Sequence, residues 1–180
     1  GGSRGNPGPG GSGAVIVQLN GSISSGTAVW ISSTSYHTKT TTNNQAEYRG
    51  LLQGLLQAHR SRMLPLHVVG DSKMIIEQQR KRHSPRAEHL SHFYKRCRVL
   101  ADKCNVLSWT HHFRSFNKTA DTLANLPMDT QPSRQLQVYS RDNIVECWRP
   151  VLSWVANDIS NWLEIKSVSD SLVVRYCAPI

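Results

Sequence analysis

The alternation of apolar and polar positions divides the chain into short strands followed by helices. Ala14 to Leu19 is an apolar, largely β-branched run, Asn20-Gly21 is a turn pair, and Thr27 to Ile31 is a second apolar run, so a β-hairpin is expected. From Asn44 to His59 the residues Ala46, Leu51, Leu52, Leu55, Leu56 and Ala58 recur at helical spacing. Asn44 stands where an N-cap belongs, with Glu47 three positions on, as in a capping box. Leu64 to Val69 reads as a strand, and Asp71-Ser72 opens a helix through Met74, Ile75, Ile76 and Gln78. A basic joint, Arg80 to Arg86, leads to a third helix over Ala87 to Lys103. Asn105 to Thr110 is a further strand, and Asn117 caps a short helix that Pro127 should stop after Leu126.

Strands first and then alternating helices and strands predict an α/β fold, a mixed β-sheet flanked by helices. At 180 residues the chain is long enough for one core, and the pattern places that domain in residues 1–129. Residues 130–180 differ: a polar link, Thr130 to Arg134, precedes a candidate amphipathic helix over Arg149 to Leu163. Val151, Leu152, Val155, Ile159 and Trp162 mark its apolar face and Pro150 its start. The role of this tail is not legible in the pattern.

Charge changes the picture. Lys and Arg number 21 against 12 Asp and Glu, a formal net charge of +9 and a pI near 9.8, which favours a polyanionic partner such as nucleic acid. Cys97, Cys104, Cys147 and Cys177 form no Cys-x-x-Cys pair and read as reduced. No apolar run approaches the roughly 20 residues that cross a bilayer, and no leader pattern is present. No membrane partner and an intracellular location, cytoplasm or nucleus rather than secretion, are expected; the glycosylation sequons at Asn20 and Asn117 then read as chance matches. Seven glycines among residues 1–13 mark a loop entered from upstream, so further domains of a longer polypeptide are expected.

Three acids occupy equivalent places: Glu47 in the first turn of a helix, Asp71 directly after an apolar strand, and Asp121 in the first turn of the last helix. Each alone is explained by the helix dipole or by capping. Brought to one edge of an α/β sheet, they would repel unless neutralised. Their hard oxygens suit magnesium or manganese better than zinc.

Four segments in order, Gly1 to Gly11, Thr42-Asn43-Asn44-Gln45-Ala46-Glu47, Val69-Gly70-Asp71-Ser72 and Asn117-Lys118-Thr119-Ala120-Asp121, resemble those of ribonuclease H over residues 1 to 126. The resemblance implies endonucleolytic cleavage of the RNA strand of an RNA–DNA hybrid, within a retroelement or reverse-transcriptase-related protein. Glu47, Asp71 and Asp121 would be catalytic and would bind two Mg2+ ions, with Mn2+ as substitute, and no organic cofactor is implied. His111, or its neighbour His112, resembles the family's histidine that assists product release or proton movement. Asn43 and Asn44 resemble minor-groove residues, and Gly5 and Asn6 resemble those that contact ribose 2′-hydroxyls. Arg80, Lys81, Arg82, Arg86, Lys95 and Arg96 would meet phosphates.

In that family an aspartate precedes the Gly-Gly pair at the end of the central strand. Both that acid and its strand are expected to lie ahead of Gly1, leaving these 180 residues inactive and Ala14 to Leu19 without a neighbour on one side. The alternative function is a catalytically inactive nucleic-acid-binding module on the same fold; transposase-like relatives fit the Thr-Asn-Asn-x-x-Glu segment less well.

Overall fold

A computed structural model describes residues 2–19, 26–130, 133–138, 148–164 and 175–179, with the backbone alone for 127–130, 163–164 and 175–179. The expected turn at Asn20-Gly21 lies outside the described residues. The elements run β1 (Gly2–Ser3), β2 (Gly10–Leu19), β3 (Gly26–Tyr36), α1 (Asn43–Arg60), β4 (Leu66–Gly70), α2 (Lys73–Arg80), α3 (Glu88–Lys103), β5 (Val106–His111), a 3-10 turn (Arg114–Phe116), α4 (Lys118–Thr130), β6 (Arg134–Gln137), α5 (Arg149–Glu164) and β7 (Arg175–Pro179).

The strands form one mixed sheet in the order β5-β4-β7-β2-β3-β6, with β1 also paired to β2. β4 runs parallel to β5 and β7, whereas β2 is antiparallel to β1, β3 and β7. Both faces of β2 are covered, which is why it reads as a continuous apolar run. Its even residues Ala14 and Ile16 join the core under α1 and α3, while Val15 and Val17 join the core of the other face with Leu123 of α4 and Val155 and Ile159 of α5. Gly13 marks the closest approach of α4 to this strand, since a Cβ there would stand 2.4 Å from the Ala120 carbonyl oxygen and 2.5 Å from the Leu123 Cβ.

The structure corrects the expectation of an open edge on β2. Ala14 to Gln18 pair with β7, which also pairs with Leu66, His67 and Val68 of β4. The strand between β2 and β4 is therefore supplied from the C-terminal end of the chain. The expected strands lengthen too, because β2 begins at Gly10 and β3 reaches Tyr36, while β4 starts at Leu66, after Pro65.

Two helix ends also differ. The N-cap of α1 is Thr42, whose hydroxyl accepts from the Gln45 amide while the Gln45 side chain accepts from the Thr42 amide; Asn44 and Glu47 take no part in that box. α4 continues through Pro127 to Thr130 instead of stopping. Proline cannot donate to the carbonyl four residues back, here Leu123, and the Ser33 hydroxyl of β3 donates to it instead at 2.7 Å. The tail helix forms within one residue of the expected span and packs Val151, Val155, Ile159 and Trp162 into the sheet-facing core.

Candidate active site

The sequence places its three acids on separate elements, and the fold gathers them at one end of the sheet. Glu47 projects from the first part of α1, Asp71 follows the last residue of β4, and Asp121 stands in the first turn of α4. Because Thr42 and Gln45 satisfy the helix start, Glu47 is released from capping. A cavity of about 350 Å³ is lined by Ser3, Arg4, Asn43, Glu47, Arg114 and Asp121 among others. Asp71 joins it through Arg114, whose Nε lies 3.1 Å from Asp71 Oδ2 and 3.5 Å from Asp121 Oδ1. Arg114 itself is exposed, whereas the Asp71 side chain is only 6% exposed.

Burial pushes the Glu47 carboxyl above its ordinary value and the Asp71 charge adds to that, while a hydrogen bond from Ser72 and the Arg114 guanidinium oppose it. Asp71 Oδ1 is buried and has no hydrogen-bond partner. Such an oxygen costs on the order of 1–3 kcal/mol unless something meets it, and a divalent cation is one group that would. Among the described residues, no three His, Cys, Asp or Glu side chains converge closely enough to form a ready-made metal cage. Glu47 and Asp121 line the cleft and Asp71 adjoins it through Arg114; hard carboxylate oxygens of this kind suit Mg2+ or Mn2+ in donor chemistry.

His111 ends β5 with its Nε2 3.2 Å from the Asp71 carbonyl oxygen, next to that acid. His112 is buried at 3% exposure and its amide donates to the Gly70 carbonyl. The loop and groove residues are brought together as a unit. The Asn43 Oδ1 accepts from the Ser3 amide at 2.7 Å and from the Ser3 hydroxyl, and the Asn43 amide donates to Asn6 Oδ1 at 3.0 Å. Asn6 and Gly5 both adopt positive φ and are exposed, as is Asn44.

The basic residues divide. Arg80 and Lys81 pair with Glu77, and Arg82 pairs with Asp102 at 2.7 Å, while Arg86, Lys95 and Arg96 are exposed. Exposed pairs of this kind contribute little to stability and do not preclude phosphate contacts.

Arg114 is the site residue that pattern reading missed. Its signal was position: it lies seven residues before Asp121 in a loop that the fold must bring back over the end of β4. A lone arginine in a basic chain does not announce an ion pair with two acids.

The chain is similar to known proteins in sequence and in fold. Residues 1–126 match the family model described as "Reverse transcriptase-like". The "Bifunctional protein Rv2228c" of Mycobacterium tuberculosis is 36% identical over 129 residues, which is 72% of this chain and 34% of that protein. "Ribonuclease HI" of Halobacterium salinarum is 33% identical over 129 residues, covering 72% of this chain and 61% of that protein. The chain thus spans about a third of the length of the first curated relatives it matches. Among solved structures, the N-terminal RNase H domain of Rv2228c superposes with a TM-score of 0.61 at 36% identity, covering 72% of this chain and 88% of that one. RNase H1 of Halobacterium salinarum gives 0.59 at 31% identity, over 71% and 92%. With its mixed sheet, its flanking helices and this ordered set of segments, the chain belongs to the ribonuclease H-like family.

Proposed function

We propose that this site hydrolyses the RNA strand of RNA–DNA hybrids with the help of two divalent ions. The observation that carries the reading is that Glu47 and Asp121 line one cleft while Arg114 ties Asp71 to it, with one Asp71 oxygen buried and unpartnered. Glu47, Asp71 and Asp121 would hold the ions. The chemistry that two Mg2+ ions held there would supply is activation of a water and stabilisation of the leaving 3′ oxygen. The chain's own residues do the rest. The loop around Gly5 and Asn6, tied to the start of α1 through Asn43, presents exposed backbone beside the cleft, where ribose hydroxyls distinguish RNA from DNA. Arg114 lies between Asp71 and Asp121 and offsets their mutual repulsion, and His111, hydrogen-bonded to the Asp71 backbone, would take up or deliver a proton. A place in a retroelement or reverse-transcriptase-related protein is part of the same reading, supported by the family model's description.

The test is cleavage of a hybrid, with duplex DNA and duplex RNA as controls, across a Mg2+ titration. Hybrid-selective, cation-dependent cleavage supports the reading; undiminished cleavage in excess chelator defeats it.

A second reading is favoured by one observation. Arg114 already occupies the space between Asp71 and Asp121, and no ready-made cage exists among the described residues. A nucleic-acid-binding module that does not cleave would be built this way. Hybrid binding that is insensitive to Mg2+, with no cleavage, would favour it.

A further inference from the structure

α5 lies outside residues 1–126, the part matched by the family model, yet it touches the site's supporting segment at three consecutive turns. Trp154, Asp158 and Trp162 are spaced four apart and so share one stripe of the helix. The Lys118 Nζ sits 4.3 Å from the centre of the Trp154 ring. Asp158 is fully buried, and its two carboxylate oxygens accept from the Lys118 amide at 3.2 Å and the Thr119 amide at 2.8 Å. Trp162 donates its indole N–H to the Phe116 carbonyl at 2.9 Å.

Those contacts hold residues 116 to 119. Arg114 lies two positions before them and Asp121 two positions after. The amides that Asp158 meets are the first two of α4, where helices carry donors with no internal partner. Asn117, at the position from which a cap would ordinarily come, is buried with neither side-chain polar atom hydrogen-bonded. The capping of α4 has therefore been transferred to another helix.

We propose that Asp158 is a positioning residue of the active site: by capping α4 from α5, with Trp162 fixing the 3-10 turn, it sets where Asp121 and Arg114 stand relative to Asp71. A carboxylate on the N-terminal amides matches the helix dipole and fixes the direction of the first turn, which carries Asp121. The tail is then a working part of the site rather than a linker to something else. The inference rests on the cleavage reading for its activity arm, but its geometric arm does not.

The experiment takes as parent the 180 residues extended upstream by a strand ending in aspartate and compares it with Asp158→Asn, Trp162→Phe and, as a control for destabilisation alone, Val155→Ala, which trims a buried residue of the same helix that makes none of these contacts. Cleavage is measured well below each unfolding midpoint, as kcat, KM for hybrid and the Mg2+ concentration giving half-maximal rate. Nuclear magnetic resonance reports the Asp121 amide and the Arg114 Nε–H without metal or substrate. In Asp158→Asn both resonances should move, kcat should fall about tenfold or more and the Mg2+ requirement should rise severalfold, all with KM nearly unchanged. Trp162→Phe should do the same more weakly, and Val155→Ala should lower the midpoint while leaving the resonances and the Mg2+ requirement alone. The proposal is overturned if Asp158→Asn leaves both resonances in place, or if Val155→Ala moves them equally. If the extended parent cleaves no hybrid under any condition, the functional reading falls, and the two resonances still decide the positioning claim.

Discussion

Asp71 meets Arg114 with one carboxylate oxygen and leaves the other buried without a partner. Replacing it with asparagine keeps the size and removes the charge. Loss of a residue that merely supports a metal ligand costs ten- to a hundredfold, so Asp71→Asn or Asp121→Asn should lower hybrid cleavage on the order of a hundredfold or more, without loss of cooperative melting. Turnover within a few fold of the parent in both variants would show that these acids only terminate helices. Arg114→Ala should act oppositely on stability in its two conditions. Without the guanidinium, Asp71 and Asp121 lose their shared counter-charge, so the midpoint in chelator should fall, and Mg2+ should recover it by binding the folded state. Glu47 makes a pH prediction whose sign follows from its raised folded-state pKa. The unfolded chain, with the ordinary value of 4.5, loses this proton first, so folding stability drops as pH rises from 4.5 through the folded value. In chelator, Glu47→Gln should therefore stabilise the protein at neutral pH, and the gain should vanish below about pH 4.5, where the carboxyl is protonated in both states. Parallel stability curves for parent and variant across that range would contradict it.

At the scale of elements, apolar periodicity located the helices and most strands, because period and burial are local properties of sequence. What it could not locate were contacts made across the fold. Pro127 looked like a stop because the partner of the Leu123 carbonyl is Ser33, ninety positions away in sequence. Asn44 looked like a cap because nothing local distinguishes it from Thr42, two residues earlier, whose box partner Gln45 is as good a match as Glu47. The carboxylates of the site were legible because each sits at a strand end or helix start that periodicity fixes, whereas Arg114 and Asp158 act from a loop and from a remote helix. The Ser33 contact is directly testable. Ser33→Ala leaves a buried carbonyl unmet and should cost about 1–3 kcal/mol. Adding Pro127→Ala restores an amide in α4 for that carbonyl, so the double variant should recover part of the loss. Equal destabilisation of single and double variants, measured by denaturant unfolding, would show that Leu123 finds its partner elsewhere.

At the scale of the whole molecule, the position between β2 and β4 is the one on which both stability and chemistry depend. β7 fills it, pairing Ala14 with Pro179 on one side and Val68 with Cys177 on the other. β1 lies along the same edge of β2, pairing Gly2 with Gly11 and Ser3 with Gly10. Carried backward, that register sets any segment ahead of β1 opposite Ser12, Gly13, Ala14 and onward, the positions where β7 begins its own pairing. A strand preceding Gly1 and β7 would therefore contend for one slot. The two differ in what they would deliver, since the ribonuclease H resemblance implies an upstream strand that ends in an aspartate, whereas residues 175–179 contain no acid. Four chains separate these effects: residues 1–180, the same with 175–180 removed, and each of these with an added upstream strand of about six residues, a typical strand length, ending in aspartate. In the unextended chain, removal of 175–180 should lower the melting midpoint sharply, because it leaves two buried strand edges unpaired. In the extended chain the same removal should be nearly harmless, and hybrid cleavage should rise by orders of magnitude over residues 1–180, since on the proposed reading a fourth carboxylate would complete the set that holds two ions. Should removal of 175–180 prove equally harmless with and without the extension, β7 does not hold the central position. Should the extension leave cleavage unchanged, Glu47, Asp71 and Asp121 obtain their remaining ligand from some other part of the chain.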